Sequence, residues 1–284
     1  MRALLVSLVV VALLAFCPLG CVTPPLVMSG GAGCLELGPR RLAWGASPAD
    51  VRLASGEHLR GVWVPAGPDA PLVLHFLGSS GSVTIPQSAQ GLSFDVDDLF
   101  GALRERGFAS LAFDYRGVGA SDGERDPRQV PEDALAMWNE ALRRVDGDSS
   151  RITLRGMSLG TLALASLLER GAAPARAVFV APVRAESAAS NWVRDRYGAV
   201  AAWFASPFFA RPMRVDLLAA LSRTSAPLFL ALGSRDALLR PSERRQVAEL
   251  AASRGAQVLE LDLDHLRLVH AGYTLLEFEP LATR

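Results

Sequence analysis

Apolar positions along the chain fall into two kinds of segment. Short apolar-rich runs at 71–77 (PLVLHFL), 108–115 (FASLAFDY), 175–182 (ARAVFVAP), 227–232 (PLFLAL) and 257–263 (QVLELDL) predict strands. The first is nearly continuous, as expected for a strand covered on both faces. Longer segments of helical character lie between them, at 95–106 before Gly107, which is amphipathic, 131–145 opening on Pro131, 159–170 before Gly171, and 242–254. Proline at a first helical position and glycine just past the last one are the boundary chemistry of helices. Residues 152–154 lead directly into the third helix, and two early strands, 50–53 and 59–65, flank a turn at Ser55-Gly56. Strands alternating with helices predict an α/β fold, with a mostly parallel central sheet and helices on both faces. Ligands of such sheets bind beyond the carboxyl ends of the strands, so reactive residues are expected there.

One strand-to-helix junction carries candidate chemistry. In RITLRGMSLGTLALASLLER, Gly156 and Gly160 flank Ser158, giving G-x-S-x-G. Small neighbours let a helix leave close to its strand, and a serine at that turn is exposed in a strained conformation. The helix start behind it directs backbone N–H groups at developing negative charge. The pentapeptide alone is also what a glycine-rich turn with a capping serine looks like, so its meaning depends on partners elsewhere.

A serine needs a base to take its proton. Of the four histidines, His58 precedes an early strand and His75 lies within one. His265 follows the last predicted strand directly, in LELDLDHLRL, and His270 comes five residues later. His265 is the candidate base and His270 the alternative. A carboxylate must hold the imidazole in the right tautomer. Asp236, in LALGSRDALLRPS, follows the strand 227–232 after Gly233; Asp262 and Asp264 are nearer in sequence but less well placed to orient the ring. Ser158, Asp236 and His265 thus fall at three predicted strand ends, in the chain order of α/β-hydrolases.

With these residues in place, the chain resembles the α/β-hydrolase superfamily over almost its whole length beyond the N-terminal segment. The stretch Phe113-Asp114-Tyr115-Arg116-Gly117-Val118-Gly119-Ala120-Ser121-Asp122-Gly123 is similar to the F-D-Y-R-G-x-G-x-S-x-G segment of esterase, lipase and aminopeptidase-like branches, and is read as architectural. The resemblance implies a serine hydrolase acting on a carboxylic ester or thioester through an acyl-enzyme, with a peptidase of the same fold as an alternative. It implies a small-molecule acyl substrate and no metal or organic cofactor. Relatives usually have His-Gly after the strand that here ends in Phe76-Leu77-Gly78-Ser79-Ser80-Gly81. Leu77 occupies the histidine position, which bears on how that loop is braced. The oxyanion donors are backbone groups, assigned to the Leu159 and Ser79 N–H. A non-catalytic envelope lipoprotein that uses the fold as a binding module is the alternative from another class.

The remaining segments refine the picture. Residues 3–16 are apolar apart from Ser7, follow Arg2, and precede Pro18-Leu19-Gly20-Cys21. This layout predicts a signal peptide, and Gly20-Cys21 resembles a lipobox, implying lipidation at Cys21 and an exported, membrane-anchored envelope protein. The expected organisation is a signal peptide at 1–20, a tether at 21–45, and an α/β-hydrolase domain at 46–284 with a short helical cap at about 184–222. Within that cap Val193, Tyr197, Val200 and Phe204 form an apolar stripe at helical spacing. The 29 Lys plus Arg balance 29 Asp plus Glu, so no basic field points to nucleic acid. Three cysteines, two of them in the N-terminal segment, argue against a disulfide framework.

Overall fold

The computed structural model describes residues 37–79, 81–84, 88–89, 92–93, 96–203 and 213–274. The signal-peptide and lipidation expectations, Cys21 included, lie outside the described residues, as does Phe204 of the stripe. Eight strands make one sheet: β1 (Ser47–Arg52), β2 (His58–Val64), β3 (Leu72–Phe76), β4 (Ala109–Phe113), β5 (Ile152–Met157), β6 (Arg176–Val180), β7 (Leu228–Gly233) and β8 (Gln257–Leu261). Their order across the sheet is β1-β2-β4-β3-β5-β6-β7-β8. The first two pair antiparallel with each other, and β2 pairs antiparallel with β4. All later pairings are parallel. Phe76 pairs with Gly156, Met157 with Val180 and Val180 with Ala231, which levels the carboxyl ends of β3, β5, β6 and β7 at one edge.

Among the described residues the helices beside the sheet include α1 (Pro39–Ala43), α2 (Asp97–Glu105), α3 (Val130–Arg144), α4 (Leu159–Glu169), α5 (Ala188–Tyr197), α6 (Leu217–Arg223), α7 (Pro241–Ser253) and α8 (His265–Thr274). Side chains alternate across each strand, so β3 sends Leu72, Leu74 and Phe76 into one core and Val73 into the other. The first core is closed by α3, α4, α6 and α7, through Met137, Leu164, Leu221 and Val247. The second is closed by α2 and α8, through Phe100, Leu103, Leu268 and Tyr273. Helix α4 is apolar on all sides because it lies against the sheet with neighbours on either flank; ten of its eleven residues are buried.

Three boundaries differ from the sequence reading. Part of the expected tether is docked: α1 lies against α2, with Arg41 Nε donating to Asp97 Oδ1 at 2.6 Å and Nη1 to the Val83 carbonyl at 2.6 Å. Trp44 packs so closely over Gly101 that a Cβ there would sit 3.1 Å from its ring. Within the expected cap, α6 belongs to the first core, with Leu217, Ala220 and Leu221 buried. The apolar stripe is not one helical face, because α5 ends at Gly198, whose φ of +90° breaks the helix. Val193 is buried, whereas Tyr197 and Val200 are exposed.

Candidate active site

Ser158 stands between β5 and α4 with φ 51° and ψ −117°, a conformation that non-glycine residues rarely adopt and that costs ~1–3 kcal/mol. The neighbouring glycines explain how the chain reaches it. A Cβ on Gly156 would lie 2.5 Å from the Gly160 carbonyl oxygen, and one on Gly160 would lie 2.0 Å from the Phe76 carbonyl oxygen. Neither position has room for a side chain, so the helix can start hard against β3 and β5 only if both are glycine. The Ser158 N–H donates to the Val180 carbonyl at 3.0 Å, and the Thr161 hydroxyl donates to the Ser158 carbonyl at 2.6 Å. The backbone is fixed on both sides of the nucleophile candidate.

The base and acid candidates come together with Ser158 although 78 and 107 positions along the chain separate them from it. Beyond β7 and β8 the Ser234 N–H donates to the Leu261 carbonyl at 2.8 Å and the Arg235 N–H to the Leu263 carbonyl at 3.2 Å. These bonds draw the Asp236 turn and the start of α8 side by side. His265 is the first residue of α8. Asp264 caps that helix, accepting from the Arg267 N–H at 2.9 Å. His265 Nε2 lies 2.7 Å from Ser158 Oγ, and His265 Nδ1 lies 2.6 Å from Asp236 Oδ2. Asp236 Oδ1 accepts from the Leu238 N–H at 2.8 Å. The row is therefore Ser158–His265–Asp236, with each acceptor on the acid occupied. Asp236 is 2 % exposed and His265 14 %, so the ring alone opens towards the surface.

The competing residues are engaged elsewhere. Asp262 accepts from Ser234 Oγ at 3.0 Å and pairs with Arg235, and the hydrogen bond to Ser158 is made by His265 and not by His270. His58 pairs with Asp50 on the surface. His75 is fully buried on the second face, where burial, aided by the Arg155 charge, lowers its pKa well below the usual imidazole value. Among the described residues no group of three His, Cys, Asp or Glu side chains is spaced to hold a metal ion.

The predicted donor loop faces the serine. A Cβ built on Gly78, one residue before Ser79, would be 3.4 Å from Ser158 Cβ, and Leu159 is the first residue of α4. The first N–H groups of a helix have no partner within it. Leu77 is buried among Val83, Val269 and Tyr273. Asp114, part of the segment read from the sequence as architectural, is buried at the end of β4 with its carboxylate on the far part of this loop; the sequence did not show which loop it holds.

The comparisons agree with this architecture. The family described as serine aminopeptidase, S33, matches residues 93–215. An Escherichia coli protein described as an uncharacterized 31.7 kDa protein in the traX-finO intergenic region is 47% identical over 62 residues, 21% of this chain and 22% of that protein. The uncharacterized protein YfhR of Escherichia coli strain K12 is 26% identical over 133 residues, 45% of this chain and 43% of its own length. The matched part of this chain thus spans less than half of either curated relative. A solved esterase of Pyrococcus furiosus superposes with a TM-score of 0.65 at 19% identity, covering 86% of this chain and 91% of the esterase. Sheet order, elbow and solved neighbours together show the α/β-hydrolase fold.

Proposed function

We propose that the protein is a serine hydrolase that cleaves a carboxylic ester or thioester by way of an acyl-enzyme. The observation that carries this reading is the continuous row Ser158 Oγ–His265 Nε2 at 2.7 Å and His265 Nδ1–Asp236 Oδ2 at 2.6 Å. His265 takes the Ser158 proton through Nε2 as Oγ attacks the carbonyl carbon. Asp236, held by the Leu238 N–H, keeps the other ring nitrogen protonated and stabilises the imidazolium. The carbonyl oxygen becomes an oxyanion between the Leu159 and Ser79 N–H groups. His265 then returns the proton to the leaving alcohol or thiol and activates a water that releases the acid. The S33 match over 93–215 favours a second reading, in which the leaving group is an amine and the substrate a peptide. Both readings use the same residues.

Export and anchoring through a lipidated Cys21 complete the proposal for where the protein works. Among the described residues no helix is long and apolar enough to cross a membrane, and a lipid anchor requires none. A fluorophosphonate probe tests the chemistry: the wild type is expected to label and Ser158→Ala is not. Folded wild type that does not label refutes the reading. A panel of p-nitrophenyl esters, thioesters and aminoacyl anilides then separates esterase from peptidase. Metabolic labelling with a fatty-acid analogue, lost in Cys21→Ala, tests the anchor.

A further inference from the structure

The segment Asp114-Tyr115 grips the loop opposite Ser158 at both of its ends. At the near end, where the loop leaves β3, the Tyr115 hydroxyl donates to the Leu77 carbonyl at 3.3 Å. At the far end the Asp114 carboxylate accepts from the Val83 N–H at 2.7 Å, the Ser82 hydroxyl at 2.7 Å and the Thr84 hydroxyl. Between the two, the Gly81 N–H closes a turn onto the Gly78 carbonyl at 3.0 Å. A third strand of chain is locked in as well. The Ala120 N–H donates to Thr84 Oγ1 at 2.8 Å, and a Cβ on Gly119 would come within 1.8 Å of Asp114 Oδ2 and 2.1 Å of Thr84 Oγ1. Gly119 has φ +52°, so both its conformation and its lack of a side chain serve this contact.

Asp114 is 1 % exposed, and what surrounds its carboxylate is a set of neutral hydroxyl and amide donors. Burying an acid on neutral donors is costly, and burial raises its pKa to about 6 in spite of those bonds. The nearby Tyr273 phenol is raised too, by burial and in small part by Asp114, and so stays neutral. An apolar side chain would fill the space at less cost to stability. What an apolar side chain lacks is the ability to gather three loop donors at one point.

We propose that Asp114 is a positioning residue for the oxyanion-binding loop: by gathering Ser82, Val83 and Thr84 it fixes the turn that presents the Ser79 N–H to Ser158. Leu77 itself fills the apolar space beside Tyr273, so the bracing of the loop falls to Asp114. The inference rests on the serine-hydrolase reading for its consequence in turnover, and on geometry alone for its consequence in loop order.

The test is Asp114→Asn in the full-length chain at pH 8, with p-nitrophenyl acetate as substrate and amide exchange as a second readout. Above about pH 6 the wild-type carboxylate is ionised at a cost to the fold, because a raised folded-state pKa contributes stability below pH 3.8 that is lost as pH rises through about 6. The Asn variant is therefore expected to keep or raise Tm. Its kcat is expected to fall about tenfold or more, with KM within about twofold, as a displaced oxyanion donor requires. Exchange at residues 78, 79 and 81–84 should quicken while the sheet strands keep their protection. Unchanged kcat with unchanged loop exchange overturns the proposal, and so does a lowered Tm with exchange quickened across the whole sheet. Thr84→Val, which removes one donor from the other side, should show the same pattern more weakly; wild-type behaviour there also overturns it. If the wild type has no turnover and does not label, the hydrolase reading has failed, and loop exchange still decides whether Asp114 braces the loop.

Discussion

The two faces of the sheet are built differently. On the first face the inward residues of the interior strands are apolar throughout: Leu72, Leu74 and Phe76 from β3, Leu111 and Phe113 from β4, Ile152 and Leu154 from β5, Phe179 from β6, and Leu230 and Leu232 from β7. On the second face the same strands bury His75, Ser110, Thr153 and Arg155 among Val73, Ala112, Met157 and Val178. Arg155 is fully buried; its guanidinium reaches Met157 Sδ at 3.1 Å and donates to the Gly272 carbonyl near the end of α8. A cation at the C-terminal end of a helix meets the negative end of its dipole. That helix begins with His265. The first face is thus a scaffold held by packing, while the second sacrifices some hydrophobic burial to fix the helix that carries the proposed base.

This division predicts that perturbations separate activity from stability, with the largest effect at the row itself. Ser158→Ala is expected to reduce ester turnover by about 10⁴-fold or more, ~5.5 kcal/mol of transition-state stabilisation, with Tm unchanged or higher. His265→Ala should do the same, and His270→Ala should not. Turnover lost only in His270→Ala would move the base and undo the role given to the start of α8. On the scaffold face, Leu154→Ala is expected to lower unfolding free energy by ~2–5 kcal/mol in denaturant melts, because it opens a cavity in the first core. Activity per folded molecule should be unchanged there.

Arg155→Met, on the second face, should give the opposite division. Losing the bond to the Gly272 carbonyl costs ~1–3 kcal/mol, offset by no longer burying a charge. The net change in stability is expected to be smaller than for Leu154→Ala, with a severalfold fall in kcat as α8 loosens. A large stability loss at constant kcat would show that Arg155 is only a core residue. The smallest effect is a slope. His75 is buried neutral with a depressed pKa, so below about pH 6.5 the unfolded chain binds a proton that the folded one does not. Its contribution is full above pH 6.5 and is lost as pH falls below it. His75→Leu should flatten that limb of the Tm–pH curve; an unchanged limb would assign acid sensitivity to other groups.

Much of the fold was legible because the strands are interior. Runs such as 71–77 and 227–232 must be apolar on both faces; β3 lies inside the first, and β7 starts within the second and runs one residue past it, to Gly233. Helix ends at Gly107 and Gly171 were legible because both adopt the positive φ that glycine alone reaches without strain. The cap was less legible, since an apolar period marks a helix without saying what it packs against. The 217–223 segment has such a pattern and lies on α4, in the first core. Residues 37–45 are too short a segment to show a clear apolar period, and they dock through Arg40, Arg41 and Trp44 on partners at least 42 positions away.

By itself the sequence determined which residue types stand at strand ends: the serine between two glycines, the acid after β7 and the histidine after β8. Local steric rules are enough for that, because a turn that excludes every Cβ can be read from its glycines. Only the tertiary structure decided which groups touch. It set His265 and not His270 against Ser158, closed Asp236 on the ring, and turned Asp114 from one more acid in a glycine-rich segment into the clamp of a distant loop. Hydrogen bonds act over about 3 Å, and the chain brings these partners within that range only after the sheet has closed between them.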